Sequence, residues 1–112
     1  MSNKLHILWT NDNVHTSNMM VLMYATNSML YKLWDDITVI LWGPTVKLAA
    51  EDELIRHQIK ASIHAGVKFS ACATCARQFG VQEKLESLGI EVIPWVEPLT
   101  EIIKNKEFLL TV

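Results

Sequence analysis

The sequence predicts an α/β fold, in which a mostly parallel sheet is covered by helices. Five short apolar segments alternate along the chain with segments of helical periodicity. The second of them, residues 37–42, is β-branched and almost wholly apolar, as expected of a strand that is buried on both faces. Strands that alternate with helices pair in parallel and carry helices on both sides of the sheet.

The first strand and helix are predicted within the first third of the chain. Residues 5–9 form an apolar run, and the polar residues that follow it are typical of a loop. Ser17 or Asn18 is expected to cap a helix whose apolar residues continue to position 33.

The second strand is bounded by two turn signals. Residues 35–36 are a pair of aspartates that form a turn, and Gly43 with Pro44 ends the strand at residues 37–42. Thr45 is then expected to cap a short helical turn that continues to Leu48.

A longer helix is predicted next, because its charges suit the helix dipole. Glu51, Asp52 and Glu53 lie in its first turn and His64 in its last turn. Gly66 can adopt the left-handed conformation that closes a helix. The residues of its predicted buried stripe are Leu54, Ile55, Ile59 and Ile63.

The second half of the chain contains the three remaining predicted strands. Gly80 divides two helices there and Gly89 closes the second of them. The strands are at residues 67–71, 90–95 and 108–112, and the helices at 74–79, 82–88 and 99–104.

Length and composition predict one folded domain over residues 1–112, since half the residues are apolar and a fifth are charged. A formal net charge of −2 gives no basic surface, which argues against nucleic-acid binding. We find no signal peptide and no membrane-spanning stretch, so we expect a cytoplasmic protein. Four tryptophans and five methionines in so small a domain favour a homo-oligomer that covers part of its apolar surface.

Ligands of open parallel sheets bind outside the carboxyl ends of the strands, so the loops at that edge hold the candidate site. Cys72 and Cys75 follow the third predicted strand and are the candidate catalytic residues. The candidate pocket residues lie in the same set of loops or beside the cysteines: Asn11, Asp12, His15, Trp42, Gly43, Thr74, Arg77 and Trp95. No clustered glycine motif is present, and no cofactor is expected.

The position of the cysteine pair predicts its chemistry. Cys72 falls at the strand-to-helix turn and Cys75 in the first helical turn, where backbone N–H groups and the helix dipole stabilise a thiolate. Only the thiolate is nucleophilic, and Arg77 adds positive charge nearby in sequence. A structural, space-filling role is the alternative for any buried cysteine.

Residues 65–81 read Ala-Gly-Val, a short strand, Cys72, and a helix that closes on Gly-Val, while residues 40–44 lead into an acidic helix. This pattern resembles the DsrE/DsrF-like family, and the element order is similar over nearly the whole chain. The resemblance implies a three-layer α/β/α fold on a five-stranded parallel sheet of flavodoxin- or Rossmann-like topology, assembled as trimers or hexamers. It also implies that Cys72, which stands eight residues before Gly80, carries sulfur as a persulfide between donor and acceptor proteins.

Cys75 departs from the pattern of the family, whose relay subunits have a small residue at this position. A second thiol can attack a Cys72 persulfide, release sulfide and leave a disulfide. The first hypothesis is therefore a sulfur carrier or sulfurtransferase-like relay protein, in which Cys72 carries the sulfur and Cys75 is a resolving or modulating thiol.

Three other functions stay open at this point. The spacing of the two cysteines also suits a thiol-disulfide redox or sensor protein, although Ala-Thr separates them where thioredoxins usually have Gly-Pro. A tetrahedral zinc site would need two further ligands, and the sequence has no second cysteine pair, so no metal is expected. The third alternative is a non-catalytic oligomeric binding protein.

Several residues have both a structural and a functional interpretation. Asn11 and Asp12 either form a turn or orient a substrate. Trp42 and Trp95 either wall a thiol pocket or belong to the core. The methionines at positions 19, 20, 23 and 29 either pack in the core or form a subunit interface.

Overall fold

The computed structural model describes residues 3–112, so the first two residues of the predicted domain lie outside the described residues. The described residues form one five-stranded sheet with the order β4-β3-β2-β1-β5, and every pairing in it is parallel. The strands are β1 (Lys4–Trp9), β2 (Asp36–Leu41), β3 (Lys68–Cys72), β4 (Glu91–Ile93) and β5 (Leu109–Thr111). The predicted parallel α/β fold is therefore confirmed.

Six helices connect the strands in the described part of the chain. The first, α1, is a continuous helix made of Val14–Thr16, a π-helical stretch Ser17–Leu22, and Met23–Leu30. The others are α2 (Pro44–Glu51), α3 (Glu53–His64), α4 (Ala73–Phe79), α5 (Gln82–Leu88) and α6 (Val96–Lys104). Each crossover contains at least one helix, as parallel pairing requires.

The two faces of the sheet are covered unequally. Helices α1 to α5 pack on one face around a large core that includes Ile7, Val39 and Ile59, all of which are fully buried. On the other face α6 covers a smaller cluster of Ile40, Trp95 and Ile102. The predicted three layers are present, and the third layer is a single helix.

The start of α1 differs from the prediction. Asn13 caps the helix, because its side chain accepts a hydrogen bond of 3.0 Å from the Thr16 N–H. The predicted cap Ser17 lies inside the helix and is fully buried, and its hydroxyl donates instead to the carbonyl oxygen of Asn11. The helix also ends at Leu30, three residues before the predicted end.

The boundary between α2 and α3 also differs. Thr45 caps no helix, since its hydroxyl donates a 2.7 Å hydrogen bond to the Trp9 carbonyl oxygen. Pro44 occupies the first turn of α2, where its missing N–H costs nothing. Asp52 caps α3 by accepting the Ile55 N–H at 2.9 Å, so Glu51 belongs to the preceding helix.

Two smaller predictions need correction. Leu54 was expected on the buried stripe of α3, but its side chain is 48% exposed. Helix α6 begins at Val96 rather than at position 99, because Pro98 is tolerated in a first helical turn.

Candidate functional site

The carboxyl ends of β1, β2 and β3 lie side by side. In the register of the sheet, Trp9 is opposite Leu41, and Leu41 is opposite Ala71. The turns that leave these strands therefore meet at one edge, and the turn after β3 carries the two cysteines.

The two cysteines occupy the predicted positions in the turn. Cys72 is the last residue of β3 and the N-cap residue of α4, with extended backbone angles. Its side chain accepts no capping hydrogen bond and is only 4% exposed. Cys75 lies in the first turn of α4 and is half-buried, and both cysteines are free thiols.

Gly43, in the turn after β2, contacts one member of the cysteine pair, Cys75. Its backbone N–H donates a hydrogen bond of 3.4 Å to the Cys75 Sγ. The backbone angles of Gly43 are φ 73° and ψ −135°, a conformation that L-residues rarely adopt and achiral glycine can adopt. The position therefore requires glycine if the N–H is to point at the sulfur.

The turn that contains Gly43 is fixed to the end of β1. The Trp42 N–H donates to the Trp9 carbonyl oxygen at 3.3 Å, and the Thr45 hydroxyl donates to the same oxygen at 2.7 Å. The Thr45 hydroxyl also lies 3.3 Å from the Trp42 carbonyl oxygen. These bonds hold the Gly43 N–H in place opposite α4.

Burial raises the pKa of the Cys75 thiol above its ordinary value of 9.0. The hydrogen bond from the Gly43 N–H lowers that pKa, while the neighbouring Cys72 thiol raises it through a hydrogen bond and through charge. The net direction is upward, so Cys75 keeps its proton at neutral pH and can donate it towards the Cys72 sulfur.

A buried set of hydrogen bonds that the sequence analysis missed stabilises the loop after β1. The Trp9 indole N–H donates to the Ser17 Oγ at 3.0 Å and to the Asn11 carbonyl oxygen at 3.1 Å. The Asn11 side chain accepts the Asn13 N–H at 2.9 Å, which is the geometry of an Asx turn. Asn11 thus forms the turn that one of its two interpretations predicted.

The two tryptophans at this edge pack on the α6 face of the sheet. Trp95 is buried and its indole N–H donates to the Ser70 Oγ at 2.7 Å, while Trp42 packs half-buried on the same apolar cluster. Ser70 and Cys72 are two residues apart on β3, so both lie on this face of the strand. Trp95 therefore belongs to the apolar core between α6 and the sheet face that carries Cys72.

A cleft of about 470 Å³ opens at the same edge, between the loop after β1, α2 and the end of α4. It brings one predicted pocket residue, Asp12, next to residues that the sequence analysis did not single out. The full lining is Asp12, Pro44, Lys47, Leu48, Glu51, Asp52 and Phe79. The spacing of Cys75 and Phe79, four residues apart on one helix, was the signal that could have found Phe79.

A model of the DsrE/DsrF-like family matches residues 5–104. The chain belongs to the DsrE/DsrF-like family. None of the curated proteins matches the chain.

Solved structures of similar proteins support the DsrE-like fold. The conserved protein of unknown function BT1422 from Bacteroides thetaiotaomicron is 42% identical, with a TM-score of 0.96 over 98% of this chain and 95% of that one. The protein of unknown function MTH1491 from Methanobacterium thermoautotrophicum is 17% identical, with a TM-score of 0.77 over 97% and 98% of the two chains. The ychN protein from E. coli is 18% identical, with a TM-score of 0.71 over the full length of both chains.

The remaining predicted pocket residues of this DsrE-like protein lie on its surface. His15, on α1, and Thr74 and Arg77, on α4, are exposed and do not line the cleft. Within residues 3–112, no three His, Cys, Asp or Glu side chains converge in a way that could hold a metal ion. None of the helices described is both long enough and apolar enough to cross a membrane.

Proposed function

We propose that this DsrE-like protein is a sulfur carrier that holds sulfur as a persulfide on Cys72, with Cys75 as the resolving or modulating thiol. The observation that supports this role is the local arrangement of the pair. Cys72 is the N-cap residue of α4 at the carboxyl edge of the sheet, and the Cys75 thiol, whose pKa is raised, lies beside it. A proton donor is therefore adjacent to the sulfur that reacts.

The loading step exchanges one sulfur–sulfur bond for another. The Cys72 thiolate attacks the outer, sulfane sulfur of a donor persulfide. The bond between the two donor sulfurs breaks, the new bond joins that sulfane sulfur to the Cys72 Sγ, and the donor thiolate leaves with the electron pair. An acceptor thiolate unloads Cys72 by the same exchange in reverse, so carriage needs no oxidant or reductant.

Cys75 adds a second outcome. Its thiolate can attack the Cys72 Sγ of the persulfide, which forms a Cys72–Cys75 disulfide and releases hydrosulfide. The two thiols are oxidised and the sulfane sulfur is reduced by two electrons. A dithiol reductant then has to restore the pair. Because its pKa is raised, Cys75 is mostly protonated at neutral pH, which slows this release and favours carriage.

The second candidate is a thiol-disulfide redox or sensor protein that uses the same pair. It is favoured by the observation that both thiols are free and interact with each other. The two functions differ in cargo. A carrier gains one sulfur atom on Cys72, whereas a redox protein gains no mass and cycles between two thiols and a disulfide.

We also propose a single domain that works as a cytoplasmic homo-oligomer of three or six copies. Support comes from apolar side chains on and after α1 that are exposed in the single chain. Met19 is 60% exposed, Tyr31 is 71% exposed and Leu33 is 59% exposed. A second copy would remove this surface from water, and light scattering of the purified protein measures the number of copies.

Intact-mass spectrometry tests the carrier function. The parent protein and the Cys72→Ser and Cys75→Ser variants are treated with a polysulfide donor and then with an alkylating agent that traps persulfides. We expect the Cys75→Ser variant to gain one sulfur atom per chain and the Cys72→Ser variant to gain none. Equal sulfur loading of the two variants would refute the assignment of Cys72, since each retains one cysteine.

A further inference from the structure

The cleft between α2 and the end of α4 lies beside the turn that contacts Cys75, although neither cysteine lines it. It shares two walls with the pair. Pro44 lines the cleft and follows Gly43, whose N–H contacts the Cys75 sulfur. Phe79 also lines the cleft and is one helical turn after Cys75, so both lie on the same face of α4. A chain segment seated in the cleft would therefore lie next to the turn and the helix face that hold the Cys75 sulfur.

We propose that this cleft binds an extended segment of a partner protein that carries an arginine or lysine and an apolar side chain next to its own reactive cysteine. The proposal rests on the proposed function, because it names the chemistry of the donor or acceptor that exchanges sulfur at Cys72. The volume of about 470 Å³ suits a few side chains of such a segment and is within the range of ligand pockets.

The apolar part of the recognition comes from three side chains. Phe79 is 43% exposed at the end of α4, and Leu48 is half-buried on α2. Pro44 also lines the cleft and is exposed. An apolar side chain of the partner would cover the Phe79 ring, and aromatic residues contribute strongly to binding when they become buried in an interface.

The charged part of the recognition comes from an excess of carboxylates. Asp12, Glu51 and Asp52 line the cleft, and Lys47 is the one cationic residue in its lining. Asp52 already uses one oxygen to cap α3, which leaves Asp12 and Glu51 as the exposed carboxylates. This balance favours a cationic side chain and disfavours an acidic segment, because complementary charge speeds association and like charge opposes it.

Peptide exchange tests the cleft. Two short synthetic peptides each hold a cysteine as a mixed disulfide with a coloured aromatic thiol. One has two arginines and a leucine before that cysteine, and the other has two glutamates and a leucine. The protein thiolate attacks the peptide sulfur, a protein–peptide disulfide forms, and the aromatic thiolate leaves and is measured by its absorbance.

We expect the arginine peptide to react faster than the glutamate peptide and to lose most of this advantage at high salt. Glu51→Lys should slow the arginine peptide by about fivefold, the scale expected from one exposed charge pair. Glu101→Lys changes the net charge of the protein by the same amount as Glu51→Lys. Because Glu101 is on α6, on the other face of the sheet from the cleft, this substitution should leave the rate unchanged. Phe79→Ala should slow both peptides, whereas Ile103→Ala, which truncates an exposed side chain of α6, should slow neither.

Two results would overturn the proposal. The first is equal rates for the two peptides, or a faster glutamate peptide. The second is an equal loss of rate in Glu51→Lys and Glu101→Lys, which would assign the preference to overall charge. A preference for the arginine peptide in a protein that polysulfide cannot load would instead reject the carrier function and keep the cleft. Normal loading without any peptide preference would reject the cleft and keep the carrier.

Discussion

Replacing Gly43 with alanine tests how the turn after β2 supports the cysteine pair. An alanine Cβ at this position would meet no heavy atom within 4 Å, so the substitution introduces no clash. Its cost comes from the backbone, because φ 73° is unfavourable for an L-residue. We expect a loss of about 1–3 kcal/mol in the free energy of unfolding, or about 4–24 °C in Tm for a domain of this size.

The same substitution should also change the chemistry of Cys75. If alanine relaxes to a negative φ, the N–H at position 43 no longer points at the Cys75 sulfur. The pKa of Cys75 then rises further, because the hydrogen bond that lowers it is lost. In a Cys72→Ser background, where Cys75 is the remaining thiol, the pH midpoint of its alkylation rate should move upward.

A D-alanine at position 43 provides the matched control. Reversing the signs of φ 73° and ψ −135° gives the extended region that L-alanine prefers, so D-alanine fits the native backbone without strain. Ligation of a synthetic segment 1–71 at Cys72 introduces it. We expect the D-alanine protein to keep the Tm and alkylation midpoint of the parent. If L-alanine leaves both quantities unchanged, position 43 does not require glycine and its N–H does not lower the pKa of Cys75.

Three further predictions concern buried groups. Trp95→Phe should lower the free energy of unfolding by about 1–2 kcal/mol, since it removes the donor to Ser70; no change in chemical denaturation would contradict this. Burial is the main cause that raises the pKa of the Cys75 thiol in the folded protein. The stability that the protonated thiol contributes should therefore be lost as pH rises above 9.0, the pKa of the thiol in the unfolded chain. Cys75→Ser should reduce the resulting decline in Tm at alkaline pH. Burial, the first cause, lowers the pKa of His6, whose Nδ1 is buried without a hydrogen-bond partner among the residues described. Stability should therefore fall as pH drops below the unfolded value of 6.5, and an acid decline in Tm that is unaltered in His6→Gln would contradict this.

The order of the elements could be predicted from sequence because the local signals agree with the tertiary structure. The strand at residues 37–42 consists only of apolar and β-branched residues, and the structure buries Ile37 and Leu41 completely. Gly80 and Gly89 both have positive φ where helices were predicted to end. The position of Cys72 follows from this order, since a parallel sheet collects its loops at one edge.

Other features depend on contacts between residues that are distant in sequence. Ser17 and Thr45 both resemble helix caps locally, yet their hydroxyls bind the loop after β1 and the end of that strand. The Gly43 contact with Cys75 joins two turns that are 32 residues apart. The cleft combines residues from the loop after β1, from α2 and the residue that follows it, and from α4, so no single segment of the sequence indicates it.

The fate of sulfur on the pair tests the proposed carrier function most directly. The parent protein and the Cys75→Ser variant are loaded with a polysulfide, freed of the excess, and followed over time by peptide mapping after alkylation. We predict a lasting persulfide on residue 72 of the variant, and in the parent a slow release of sulfide that accompanies formation of the Cys72–Cys75 disulfide. A disulfide that forms in the parent while no persulfide ever appears on residue 72 of either protein would contradict carriage and leave a thiol-disulfide redox protein.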